Sequence, residues 1–295
     1  MASLKIKTGF SMTRLDLVVK GLTNTKFLGN YKSVFKGSGL EFADYREYNP
    51  GSDDASRIDW KASKRVCQTV VKEFVEERNL EIIFLIDVSS QMLTGSTSKL
   101  KAEYIAELVS TLSQSVLVAG DSVGLILFSN KIIDEVRPLP GMPQLYNITK
   151  KLSNVSNYGG YSNIGGVLDY VFNKGTEGAL VILVSDFVYG LNSDRALKLA
   201  AKKFDLILMM VRDPRDMTLP VGTGEVILED PYSGSTLLID PSTLGKSYAR
   251  EVNSNISQLK GLLKKYGADF LFLQTDKPFV KEMVKFFNRR ASKWR

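Results

Sequence analysis

Residues 80–92 read Leu-Glu-Ile-Ile-Phe-Leu-Ile-Asp-Val-Ser-Ser-Gln-Met, an apolar run that ends at Asp87 and passes straight into two hydroxyls and an amide. The run from Ile82 onward has no polar alternation, so it reads as a strand buried on both faces, as a parallel sheet flanked by helices requires. Asp87 then stands at the strand's C-terminal end. Ligands of open α/β sheets bind in the crevice beyond those ends, and an acid gathered there with hydroxyls and a carbonyl oxygen suits a small hard cation.

The same short apolar pattern returns at residues 122–129, 179–186, 204–211 and 269–274, each time after a stretch of helical character. Such alternation defines an α/β class with a Rossmann-like, doubly wound and mostly parallel sheet. Helices are predicted over residues 99–118, 144–152, 164–172, 193–203, 242–265 and 279–288. In the first, Ile105, Leu108, Val109, Leu112 and Val116 recur at the spacing of one buried face, and Gly120 with Asp121 supplies the stop. Asp240 as N-cap, followed by Pro241, opens the fifth. Residues 70–78 alternate well enough for a half-exposed strand, which either joins the main sheet antiparallel or forms a small second sheet with the N-terminal segment. A hairpin is expected over 225–240, turned by Asp230-Pro231-Tyr232-Ser233-Gly234.

At 295 residues and 44% apolar content, the chain is long for one domain and ample for a sizeable core. The expected organisation is a β-rich extension over 1–79 and an α/β domain over 80–295, with the hairpin inserted at 217–240. No apolar run reaches the length of a membrane span, and the N-terminus lacks the apolar centre of a signal peptide, so a soluble, cytoplasmic protein is expected. Cys67, the single cysteine, excludes an internal disulfide and a cysteine zinc cluster; beside Val66, Val70 and Val71 it reads as a packed cysteine in a strand.

The absence of histidine removes serine–histidine nucleophile pairs, histidine metal sites and the usual general base near neutral pH. No Gly-x-x-x-x-Gly-Lys-Ser nucleotide loop occurs, and a non-enzymatic role is expected. The net charge of +7 is spread along the chain apart from Lys285, Arg289, Arg290, Lys293 and Arg295, which read as a solvated tail. A basic nucleic-acid-binding protein is the alternative that this charge suggests, yet no interleaved basic and aromatic stripe accompanies it.

Two further segments lie where a cation site needs them. Gly159-Gly160-Tyr161-Ser162-Asn163-Ile164-Gly165 opens a helix, so Ser162 either caps that helix or turns its hydroxyl into the crevice; Ser185-Asp186 ends the strand at 179–186. Taken singly, Ser89, Ser90 and Ser162 are explained as caps or turn formers, and Asp87 and Asp186 as acceptors of loop amides. Taken together, two carboxylates at one sheet edge repel unless a cation, a proton or a basic side chain stands between them. A phosphatase of the haloacid dehalogenase type also begins with an aspartate after a buried strand, but its second aspartate would fall at Ser89.

Asp87-Val88-Ser89-Ser90-Gln91, Gly160-Tyr161-Ser162 and Ser185-Asp186 resemble, in order and spacing, the three parts of the metal-ion-dependent adhesion site of von Willebrand factor A domains. More specifically, Gly37-Ser38-Gly39-Leu40-Glu41-Phe42, Tyr45-Arg46-Glu47-Tyr48-Asn49-Pro50-Gly51 and Arg57-Ile58-Asp59-Trp60-Lys61-Ala62-Ser63 resemble the signature of the domain-of-unknown-function family numbered fifty-eight. That resemblance implies a von Willebrand A fold and a protein that works with a MoxR-type AAA+ ATPase, as an adaptor in remodelling or cofactor insertion for a client protein. It also implies magnesium, or manganese in its place, with Ser89 touching the ion directly, Ser162 joining when a ligand is bound, and Asp87 and Asp186 acting through bound waters. A partner's aspartate or glutamate would complete the shell. The chain departs from the family pattern at Gln91, where a longer amide replaces a serine hydroxyl, and at Ser162, where threonine is usual; a purely structural scaffold with a degenerate metal site is the other outcome of that departure. The mixed charges from Arg46 to Arg65 have two readings: a structural ion-pair network, or an ATPase contact surface built on Arg46, Arg57, Trp60 and Lys61.

Overall fold

The computed structural model describes residues 41–51, 53–75, 80–220 and 224–293; the Gly37-Ser38-Gly39 part of the signature, strand positions 76–78 and Arg295 lie outside them. The chain forms two compact units, one within Gly21–Asn79 and one running on from Leu80, each described by itself.

In the smaller unit, strand β1 (Glu41–Glu47) pairs antiparallel with β2 (Val70–Val75), in a register running from Glu41 opposite Val75 to Glu47 opposite Val70. This is the small second sheet rather than an edge of the main one. Helix α1 (Trp60–Val66) starts where the Asp59 carboxylate accepts the N–H groups of Lys61 and Ala62, the usual fate of a short acid at an N-cap. It ends at Cys67, which is exposed and left-handed with φ 55°. The expectation of a packed strand cysteine is therefore corrected: the chain must reverse out of α1 into β2 within a few residues, and a left-handed C-cap makes that reversal.

In the larger unit, strands β3 (Glu81–Asp87), β4 (Ser122–Phe128), β5 (Ile132–Leu139), β6 (Leu180–Ser185), β7 (Asp205–Arg212) and β10 (Asp269–Gln274) form one sheet in the order β10-β7-β6-β3-β4-β5. All neighbours are parallel except β4 and β5. The runs from Ile82 to Ile86, across β4 and across β6 are buried at every position, which is why they carry no polar alternation. Strand β5 was not anticipated, because it is the antiparallel edge strand, half-buried and interrupted by Asp134, Glu135, Arg137 and Pro138. It lies so close to β4 that a Cβ on Gly124 would sit 2.9 Å from the Pro138 ring.

The remaining elements are α2 (Lys101–Val118), α3 (Met142–Ser153), α4 (Ile164–Lys174), α5 (Asp194–Lys203), α6 (Pro214–Met217), the hairpin of β8 (Val226–Glu229) and β9 (Thr236–Ile239), α7 (Pro241–Tyr266) and α8 (Phe279–Lys293). One face of the sheet packs Leu85, Phe128, Leu183 and Leu208 against Leu168, Leu197 and Leu263 of α4, α5 and α7. Helix α2 is buried almost all round, hydroxyls included, rather than along a single face; it packs on α3 and the sheet, and its Tyr104 ring meets Phe279 edge-on at 5.6 Å. Of the C-terminal basic cluster, Lys285 and Arg289 are exposed as expected, but Arg290 is not part of a solvated tail. Met283, Phe286 and Phe287 of α8 are buried, and the buried Arg290 pairs with Asp205 and Asp269 at the sheet's N-terminal edge. Among the described residues no helix is long and apolar enough to cross a membrane.

Because β3 leads through α2 to β4 on one side while β6 leads through α5 to β7 on the other, the strand order reverses between β3 and β6. That reversal opens a crevice beyond their C-terminal ends.

Candidate functional site

Three loops meet at this crevice. After β3, Val88 N–H donates to Phe128 O at 2.8 Å and Ser90 N–H to Gly160 O at 2.9 Å, while Gly159 N–H returns a bond to Val88 O at 2.8 Å. The second loop approaches this closely because Gly160 has φ +78° and no side chain; a Cβ there would stand 3.1 Å from Asn130 Oδ1 and 3.3 Å from Ser129 Oγ. Asn163, not Ser162, caps α4, accepting Gly166 N–H at 3.0 Å. Ser162 is thereby released from capping.

Asp87, at the end of β3, is wholly buried. Its Oδ1 accepts Ser89 N–H at 2.9 Å and its Oδ2 accepts the Ser185 hydroxyl at 2.6 Å. Burial pushes its carboxyl above the ordinary range and the charge of Asp186 adds to this, while Ser185, Ser162 and the Ser89 amide pull it back. Among the described residues the buried hydroxyls of Ser89 and Ser162 complete no hydrogen bond of sound geometry, although Ser162 stands close enough to Asp87 to favour its ionised form. Asp186, also buried, accepts Val188 N–H on Oδ1 at 3.1 Å. The next residue, Phe187, is buried and left-handed at φ 53°, a conformation that costs a branched or bulky residue on the order of 1–2 kcal/mol and marks the loop as tightly held.

The group standing at these carboxylates is Lys101. Fully buried at the first turn of α2, its ammonium donates to Asp186 Oδ2 at 2.7 Å and to Asp216 Oδ2 at 3.0 Å. Burial alone would lower its pKa, but the two carboxylates outweigh that and hold it above the ordinary lysine value. Sequence reasoning missed both Lys101 and Asp216. One signal was present: a lysine in the first turn of a helix opposes the helix dipole, which a nearby carboxylate offsets. Gln91 lies half-buried in the short turn Ser90–Leu93, where its carbonyl accepts Thr94 N–H and the Thr94 hydroxyl; among the described residues its side-chain amide makes no hydrogen bond to the other four candidates.

Among the described residues no three His, Cys, Asp or Glu side chains converge on a metal position, so any ion here depends on hydroxyls. The two buried hydroxyls beside Asp87 fit a small hard cation. With the acids ionised, Asp87, Asp186 and Asp216 with Lys101 carry a net double negative charge, which one divalent ion would balance.

In the smaller unit, Arg46 grips Asp53 through both guanidinium nitrogens at 2.6 and 2.5 Å, holding the Asp53 carboxyl down at about 2. Asp59 is likewise held at about 2 by the Ala62 amide and by Lys72, 3.1 Å away. Arg57, Trp60 and Lys61 are exposed, Trp60 by 70%. Arg46 thus belongs to a structural pair, and the other three face solvent.

The class so defined is a doubly wound α/β protein of von Willebrand A type whose switch point gathers hydroxyls and carboxylates into one crevice, with a β-rich region before it. The chain belongs to the family described as "Protein of unknown function DUF58", which matches residues 44–257. An uncharacterized protein of Mycobacterium tuberculosis is 24% identical over 288 residues, spanning 96% of this chain and 90% of its own length, and an uncharacterized protein of Mycobacterium bovis has the same figures. Among solved structures, the conserved hypothetical protein BatB from Bacteroides thetaiotaomicron shares 18% identity at a TM-score of 0.45, over 73% of this chain and all of its own. The SpRpn10 VWA domain shares 11% at 0.39, over 72% and 95%. These likenesses are slight, and the fold class rests on the strand order.

Proposed function

We propose that this protein is a non-enzymatic, cytoplasmic adaptor that holds magnesium or manganese at the switch point and offers it to an acidic side chain of a partner protein. The observation that carries this reading is the pair of buried hydroxyls, Ser89 and Ser162, beside Asp87, which complete no hydrogen bond of sound geometry among the described residues. Those serines would hold the ion, with Asp87 and Asp186 supplying the balancing charge; when bound, the ion supplies positive potential for a carboxylate. The family resemblance points to a MoxR-type AAA+ ATPase as partner, acting with this chain on a client protein, and the exposed Trp60, Arg57 and Lys61 suit a second contact.

The test is thermal unfolding in millimolar magnesium. Saturation at a hundred times the dissociation constant stabilises by about 2.7 kcal/mol, a rise of roughly 5–10 °C, and Ser89→Ala should abolish it. Capture of a MoxR-type ATPase from the same cell should weaken in chelator and on Asp87→Ala. One observation favours a second reading, a scaffold that needs no ion: both oxygens of Asp186 already have donors in Lys101 and Val188. An unchanged melting curve in magnesium would select it.

A further inference from the structure

A half-open cavity of about 700 Å3 lies beside the switch point, lined by the loop after β6, the end of β7 and α7, within the size range of small-molecule sites, roughly 300–1,000 Å3. Met210, Ile256 and Leu259 form an apolar wall. Arg212, only 6% exposed, lines the same space. One guanidinium nitrogen donates to Phe187 O at 3.3 Å, and among the described residues the buried Nε has no partner. Among the described residues no carboxylate pairs with it, in contrast to the other buried cations: Lys101 has two acids and Arg290 has Asp205 and Asp269. Buried charges are ordinarily paired, and an isolated one is costly. Asp194 and Glu251, exposed on the cavity lining, disfavour a doubly charged anion.

We propose that this cavity binds a singly charged carboxylate carried on an apolar group, with the carboxylate on Arg212 and the apolar part on Met210, Ile256 and Leu259. The site is separate from the cation position and takes the same chemistry whether from a free acid or from the C-terminus of a peptide.

Titration calorimetry of the full chain in EDTA tests it, using octanoate, 3-phenylpropanoate and the tripeptide Gly-Gly-Leu, each against its amide. At least one acid is expected to bind with a dissociation constant below millimolar, its amide at least tenfold more weakly, and inorganic phosphate not to compete. Tighter binding of octanoate or of the tripeptide identifies the source. Arg212→Met should cut affinity at least tenfold while the ligand-free melting temperature stays level or rises, because an uncompensated buried charge has been removed. Ile256→Glu, which sets a like charge on the apolar wall, should weaken binding without touching Arg212. Equal binding of acid and amide, unchanged affinity in both variants, or no binding by any of the acids overturns the proposal.

Discussion

At the scale of single residues, Lys101 changes the meaning of Asp186. Two acids at a sheet edge, read without a cation, predict that Asp186→Asn relieves repulsion and stabilises the protein. With the Lys101 ammonium 2.7 Å from Asp186, the same change removes a buried charged hydrogen bond, and a loss of about 2 kcal/mol is expected. Lys101→Met, which strands Asp186 without its cation, should cost more, about 3–5 kcal/mol. Denaturant unfolding of both variants without metal checks the order; a stabilised Asp186→Asn would mean that repulsion from Asp87 dominates after all. In the smaller unit, Asp53 and Asp59 are both depressed to about 2 from an ordinary 3.8. Their contribution is therefore present above pH 3.8 and is lost as pH falls through about 2. Carboxyl-carbon NMR titration should give midpoints near 2, and midpoints near 4 would show that Arg46 and Lys72 do not hold these acids in solution.

At the scale of elements, legibility followed how local the cause was. The start of α7 was readable because its cap is contiguous: Asp240 accepts Ser242 N–H at 2.8 Å and the hydroxyls of Ser242 and Thr243, with Pro241 at the first turn. Asp240→Ala should lower stability by about 1 kcal/mol in thermal or denaturant unfolding, and no change would mean that this helix is held by packing alone. The hairpin turn was equally local, since Asp230 accepts Tyr232 N–H at 3.0 Å and Gly234 N–H closes back on Asp230 O at 2.8 Å. Its placement was not: Tyr232 packs edge-on to Tyr161 at 5.6 Å, bringing the hairpin tip beside the Ser162 loop. Strand β5 escaped notice because an antiparallel edge needs burial on neither full face. The all-round burial of α2, which takes in the hydroxyls of Ser110, Ser113 and Ser115 beyond the one apolar face, is set by neighbours far along the chain.

At the scale of the whole molecule, every strand of the main sheet and every residue of the crevice lies after Leu80. A fragment spanning Leu80–Arg295 should therefore keep a cooperative melting transition by circular dichroism, whereas the described two-stranded piece alone should not, since isolated hairpins are marginal in water. Loss of the transition in the longer fragment would show that the preceding residues complete its core. The amino-acid order by itself determined the α/β class, the buried parallel strands, the side of the sheet where acids and hydroxyls gather, and the turn and cap chemistry, because each is written in contiguous periodicity or in the type of residue that ends a strand. Only the tertiary structure decided which charges meet. Lys101 reaches Asp186 and Asp216 across 85 and 115 residues of chain, Arg212 finds no acid among the described residues, and Ser162 loses its capping role to its neighbour; such pairings are fixed by sheet order and loop packing, which no local pattern encodes.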